Sequence, residues 1–347
     1  MPGAGRPRSG VRGRLLAAGG ALGAGLVLGS AVPAWAQDGD AAPTVQCQIT
    51  DERLAELSGL VAVGDRLLAM NDGGEELAVY LLDAACQVID VQTAAVDPYD
   101  PEDMAVAADG TVWLADTGDN DQARATVALL AMRPDGSTGV HRLTYPDGPH
   151  DAEALLLAPD GTPYVVTKEV LGASGVYSPT APLVDGGTVA LAKVASVNLT
   201  FTGTPGGPVG QAGQLLVTGG AVSGDGRHLA LRTYTDAYVW PLTGSDVAGA
   251  LAAPPVRIPL PDSPQGEAVT FAADGAHLLV ASESVPSDLT RVPLSAEVTA
   301  GASAPASAVP AFTDLASSGM SPFTSAAIAA VVATLAVWIG GKFRKSP

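Results

Sequence analysis

The sequence predicts an all-β domain of repeated four-stranded units, held between two apolar ends. Three observations predict it. A short motif recurs along the middle of the chain, Asp-Gly pairs punctuate its copies, and the 3.6-residue apolar period of helices is missing between the ends.

The first 36 residues carry Arg6, Arg8, Arg12 and Arg14, then an apolar Ala/Gly/Leu run, then Ala34-Trp35-Ala36. This basic, apolar, small-x-small order is that of a secretory signal, expected over 1–36 with cleavage after Ala36. A retained N-terminal anchor is the alternative. At the other end, 323–341 contains TSAAIAAVVATLAVWIGG and no charge. As a helix that stretch spans roughly 27 Å, close to the hydrocarbon thickness of a bilayer. Lys342, Arg344 and Lys345 follow at once. They make 342–347 a short basic cytoplasmic tail and the segment before it a single-pass anchor. A buried core helix is the alternative. Residues 297–322 are mostly Ala, Ser, Pro and Thr, a composition too poor in large apolar groups to pack, and read as a disordered stalk.

All 36 acidic residues lie between these ends, against 11 of the 18 basic ones, so the outer part carries −25 of a chain total of −18. Such a surface repels nucleic acid and anionic headgroups and attracts cations. Cys47 and Cys86 are the only cysteines. In an exported chain they are expected to form one disulfide, with two buried thiols as the alternative.

The repeat occupies 44–296. EDMAVAADG (102–110), EALLLAPDG (153–161), TGGAVSGDG (218–226) and EAVTFAADG (267–275) align without gaps, and SGLVAVGD (58–65) is a looser copy. Each copy reads as an apolar strand, a turn in which Asp-Gly supplies left-handed backbone, and a second strand. Two further β-type runs usually follow. The spacings are 44, 51, 65 and 49 residues. Four strands per unit in register is the pattern of a β-propeller. Five blades are expected, with six as the alternative because of the 65-residue interval. The strand near Val45 is expected to return to the first or last blade, where Cys47 to Cys86 would staple it.

In such a ring the start of each first strand and the end of each second strand meet at one mouth. Glu102, Asp103, Glu153 and Glu267 stand at the first place and are the catalytic candidates. Asn71, Asp72, Asn120, Lys168, Glu169, Arg232 and Glu283 stand at or beside the second and are the ligand-binding candidates. Glu102, Asp119, Glu153 and Glu267 offer oxygen ligands to a hard cation, Ca²⁺ first. Carboxylates around a cation also suit hydrolysis by activated water. The competing expectation is that these groups satisfy one another and the turns. The four histidines lack metal-ligand spacing, and no G-x-S-x-G elbow is present.

The ordered series SGL (58–60), ND (71–72), PEDMA (101–105), DTGDN (116–120), DAEAL (151–155), TKE (167–169), ALRTY (230–234) and GEAV (266–269) resembles a family of exported bacterial β-propeller proteins. It is more distantly similar to the esterase-like, phytase-like propeller group, which includes metal-dependent phosphoester hydrolases. The resemblance implies the fold and a shared polar site. Two functions stay open: a membrane-tethered extracytoplasmic module that binds a ligand or protein at the cell surface, and a Ca²⁺-dependent hydrolase of a phosphoester or lactone.

Overall fold

The structure is a computed structural model that describes residues 42–74 and 76–299. The expected signal segment, the membrane helix and nearly all of the stalk lie outside these residues. Among the described residues no helix is long and apolar enough to cross a membrane.

Twenty strands follow one another. Together they make five antiparallel units of four strands, β1 (Thr44–Ile49) belonging to the last of them. The first is β2 (Leu57–Val63), β3 (Arg66–Asn71), β4 (Leu77–Leu82) and β5 (Val88–Ala94). The second is β6 (Pro101–Val106), β7 (Val112–Asp116), β8 (Val127–Met132) and β9 (Thr138–Thr144). The third is β10 (Ala152–Leu157), β11 (Pro163–Thr167), β12 (Ala173–Pro179) and β13 (Thr188–Asn198). The fourth is β14 (Val217–Val222), β15 (His228–Thr233), β16 (Asp236–Pro241) and β17 (Val256–Pro259). The fifth is β18 (Gly266–Phe271), β19 (His277–Ser282) and β20 (Ser287–Pro293), with β1 as its outermost strand.

The first strands close a ring: β2 packs on β6, β6 on β10, β10 on β14, β14 on β18, and β18 back on β2. This is a β-propeller. Its core is divided among the seams between neighbouring meanders. Met70 meets the cluster of Met104, Leu129 that of Leu155, Leu156 that of Leu231, Val239 that of Val269, and Leu60 that of Leu279. Each such side chain contributes roughly 1.5–3 kcal/mol when fully buried. Inner strands are covered on both faces, so β10 and β18 are buried at every position, whereas the outer β9 and β13 alternate. That is why the inner strands stand out in the sequence as continuous apolar runs.

Closure is made twice at the fifth meander. β1 pairs antiparallel with β20, so the N-terminal strand completes the C-terminal sheet and covers its edge. Cys47 of β1 is disulfide-bonded to Cys86 in the β4–β5 turn, which ties that sheet to the first meander.

The Asp-Gly turns divide their work. Gly110, Gly161, Gly226 and Gly275 are left-handed, at φ 87°, 86°, 69° and 66°. The aspartates are not. Each caps the turn, accepting the N–H two residues on, as Asp109 does from Thr111 at 2.9 Å and Asp274 from Ala276 at 2.9 Å.

The long interval between the third and fourth copies is filled by β12, by the eleven-residue β13 and by a loop over 199–216. β13 also pairs in parallel with β9, Thr188–Ala190 against Arg142–Thr144, and so joins two meanders into an eight-stranded sheet. Contrary to the sequence expectation, a helix occurs between the ends: α1 (Val247–Leu251), capped by Asp246, lays Val247 and Leu251 into the seam of the third and fourth meanders.

Candidate functional site: an acidic mouth

Every first strand carries a β-bulge at the same place. The register breaks between Leu57 and Gly59, Pro101 and Asp103, Ala152 and Ala154, Val217 and Gly219, and Gly266 and Val269. The residue expelled from the ladder is Ser58, Glu102, Glu153 or Thr218, and Glu267 lies in the fifth bulge. A bulge re-aims a side chain that the pleat would otherwise send into a seam. The two short ones tie the ring: Ser58 Oγ donates to the Glu102 carbonyl, and Thr218 Oγ1 to the Gly266 carbonyl at 3.0 Å. The three glutamates turn into the mouth instead.

Two carboxylate groups result. Oxygens of Glu102, Asp151 and Glu153, all buried, lie within 4.8 Å of one another, and so do oxygens of Asp72, Glu267 and Glu283. Lys168 stands between them. Its Nζ is ion-paired with Glu153 Oε1 and lies 5.3 Å from the centre of the Tyr234 ring. Tyr234 OH reaches Glu267 Oε1 at 3.4 Å, and Gln265 Nε2 donates to Glu267 at 3.3 Å and to Glu283. Glu153 Oε2 is buried with no hydrogen-bond partner. Gly118 leaves the room for this crowding, since a Cβ there would collide with Glu102 Oε1 and the Asp100 carboxylate.

The electrostatics follow from burial. It pushes Glu102 and Glu153 well above the ordinary carboxylate range, and Glu153 and Asp100 add repulsion at Glu102. Asp72 is raised by burial and then by Glu267, and Glu283 is pushed up to about 11 by the same causes. Burial pulls Lys168 down, but Glu153 and the other acids outweigh it and its ammonium is held well above the usual value.

The structure brings together Glu102, Glu153, Glu267, Asp72, Lys168 and Glu283. It does not bring the remaining candidates. Asp103 follows the bulge and points away from the mouth: its carboxylate accepts the N–H groups of Met104 (2.8 Å), Leu155 (2.7 Å) and Gly220 (3.0 Å), tying three inner strands. Asp119 caps its own loop through the N–H groups of Ala123 and Arg124, and Asn120 is exposed. Asn71 donates to the Arg53 carbonyl. Arg232 is 1% exposed, and its guanidinium is consumed by the carbonyls of Thr233, Ala268 and Ala281 around the fifth bulge. Glu169 lies 3.3 Å from His150 Nδ1. The ligand set gains Asp151 and the mouth wall gains Tyr234 and Gln265. Asp151 stands two residues before a repeat glutamate, the offset Asp100 has from Glu102, and that spacing was the available signal.

A cavity of about 680 Å³ lies at the other end of the channel, lined by Leu60, Met104, Leu155, Ala221 and Phe271 and by the turns at Asp109, Asp160 and Asp225. None of the mouth carboxylates lines it.

No protein-family profile matches the chain, and no curated protein does. Solved structures similar to it include a gluconolactonase from Xanthomonas campestris (22% identity, 70% of this chain and 73% of that one, TM-score 0.41). Others are a PQQ-bound aldose sugar dehydrogenase from Streptomyces coelicolor (12%, 72% and 97%, TM-score 0.39) and a virginiamycin B lyase from Staphylococcus aureus (10%, 73% and 74%, TM-score 0.37). The likeness is one of fold alone. It does not single out the esterase-like, phytase-like group.

Proposed function

We propose that this chain is a five-bladed extracytoplasmic propeller, tethered through its C-terminal helix, whose acidic mouth binds a divalent cation, Ca²⁺ first, and through it a ligand at the cell surface. The carrying observation is Glu153: its Oε2 is a buried carboxylate oxygen without a partner, and its carboxylate is grouped with those of Glu102 and Asp151. A buried acceptor left unpaired is costly, and three carboxylates at one point repel. A hard cation relieves both, and the donor set, oxygen throughout, is the one such ions take. The residues therefore fit a cation: Glu102, Asp151 and Glu153 would hold it.

The test is thermal unfolding of the full chain with Ca²⁺ and with chelator. The midpoint is expected to rise with Ca²⁺ in the wild type and to stay put in Glu153→Gln, because a ligand stabilises only the state that binds it. Equal midpoints in the wild type with and without Ca²⁺ would remove the cation site.

A second reading, hydrolysis of a phosphoester or lactone, is favoured by one separate observation. Burial, then Glu267, pushes the Glu283 carboxyl up to about 11, and an acid so raised in the mouth suits the role of proton donor to a leaving group. Turnover of a phosphoester or lactone panel by the wild type and its loss in Glu283→Gln would support it. Inactivity across the panel leaves the binding module.

A further inference from the structure

We propose that Lys168 is a built-in counter-ion that sets which charge of cation the mouth accepts. The inference rests on the cation site above. Glu153 divides its carboxylate between two uses. Oε1 is taken by Lys168 Nζ, while Oε2 stays unpartnered on a carboxylate that is grouped with Glu102 and Asp151. When ionised, the three carboxylates sum to −3. The ammonium beside them brings the site to −2, which a single divalent cation neutralises. In surroundings shielded from water an unmatched charge is heavily penalised, so this balance selects among ions.

The placement of Lys168 is built and not incidental. Its backbone N–H donates to the carbonyl of Asp151 at 2.9 Å, so the root of the side chain is fixed to a ligand residue. Its side chain is 15% exposed, and its ammonium lies over the Tyr234 ring, whose face favours a cation. Glu153 itself is 3% exposed, so water does little to screen the pair. The field of Lys168 also reaches Asp72, Asp151 and Glu283. The neighbouring guanidinium of Arg232 is committed to backbone carbonyls and supplies no mobile charge.

The experiment compares Ca²⁺ and Tb³⁺ affinities in the full chain at one pH, Ca²⁺ by calorimetry and Tb³⁺ by sensitised emission. In Lys168→Met the site returns to −3, and preference for Tb³⁺ over Ca²⁺ is expected to rise about tenfold or more. Lys168→Arg keeps the charge and is expected to keep the wild-type preference. Should Lys168→Met fail to fold with its buried acids unbalanced, Lys168→Met/Glu267→Gln removes one of those acids outside the trio and is expected to show the same shift. An unchanged preference in the Met variants, or an equal change in Lys168→Arg, would overturn the role of Lys168 while leaving the cation site. A wild type that binds neither ion would overturn both.

Discussion

The carboxylates of Glu102 and Asp103 leave adjacent positions of one strand and end in different surroundings. The bulge expels Glu102 into the mouth, and the next residue falls back into the ladder, where its carboxylate gathers three N–H groups from β6, β10 and β14. In the sequence both were acids at the start of a repeat, and nothing in residue type separates them. The repeat position itself was legible: Glu102, Glu153, Thr218 and Glu267 align without gaps, Ser58 heads a looser copy, and all five lie in bulges. The direction each side chain takes was not legible, because a bulge is a property of pairing between strands. Asp103→Ala would leave the N–H groups of Leu155 and Gly220 unpaired in the interior and is expected to cost about 3 kcal/mol in urea unfolding. A change within the noise would deny that tie.

Titration belongs to the same scale. Burial lifts Asp103 from 3.8 to about 8 and Glu283 from 4.5 to about 11. The folded state therefore holds more protons than the unfolded chain, and stability is largest below the unfolded values and falls as pH rises through the folded ones. Without cations, the thermal midpoint is expected to drop between about pH 5 and 8. Added Ca²⁺ should shrink the drop by taking the place of protons on Glu102 and Glu153. A midpoint that climbs over this range without cations contradicts the burial argument.

At the scale of elements, the hairpins were readable because Asp-Gly turns and apolar inner strands both leave local marks. The third meander was harder. β12 mixes Gly and Ser into a short run, and β13 extends outward to pair with β9, a contact between distant segments with no local mark. Lys168 and Arg232 show the same division: both stand at or just past the end of a second strand, yet Lys168 pairs with Glu153 of its own meander, while the neighbouring fifth meander makes Arg232 a clamp on backbone carbonyls. The Cys47–Cys86 disulfide acts here too, tying β1, which pairs with β20, to the β4–β5 turn of the first meander across a separation of 39 residues. Replacing both cysteines with serine is expected to cost roughly 3–4 kcal/mol and to make β1 amides the first in the sheet to exchange. Unchanged protection of β1 would show that strand pairing alone secures the closure.

Over the whole molecule, ring closure turns a linear repeat into a site. Glu102 and Glu153, 51 residues apart, meet because β6 packs on β10, and Glu267 meets Asp72, 195 residues before it, because β18 packs back on β2. The two ends of the channel differ accordingly. One collects buried carboxylates around Lys168, and the other holds an apolar-walled cavity ringed by turns. The charge of −25 carried between the chain ends gives the ring a field that attracts cations. The central claim is that Glu102, Asp151 and Glu153 form a cation site, and calorimetric titration of the full chain with Ca²⁺ addresses it most directly. One Ca²⁺ per chain is expected, with affinity rising with pH and binding lost in Glu153→Gln. Absence of binding in the wild type, or unaltered binding in Glu153→Gln, would contradict it.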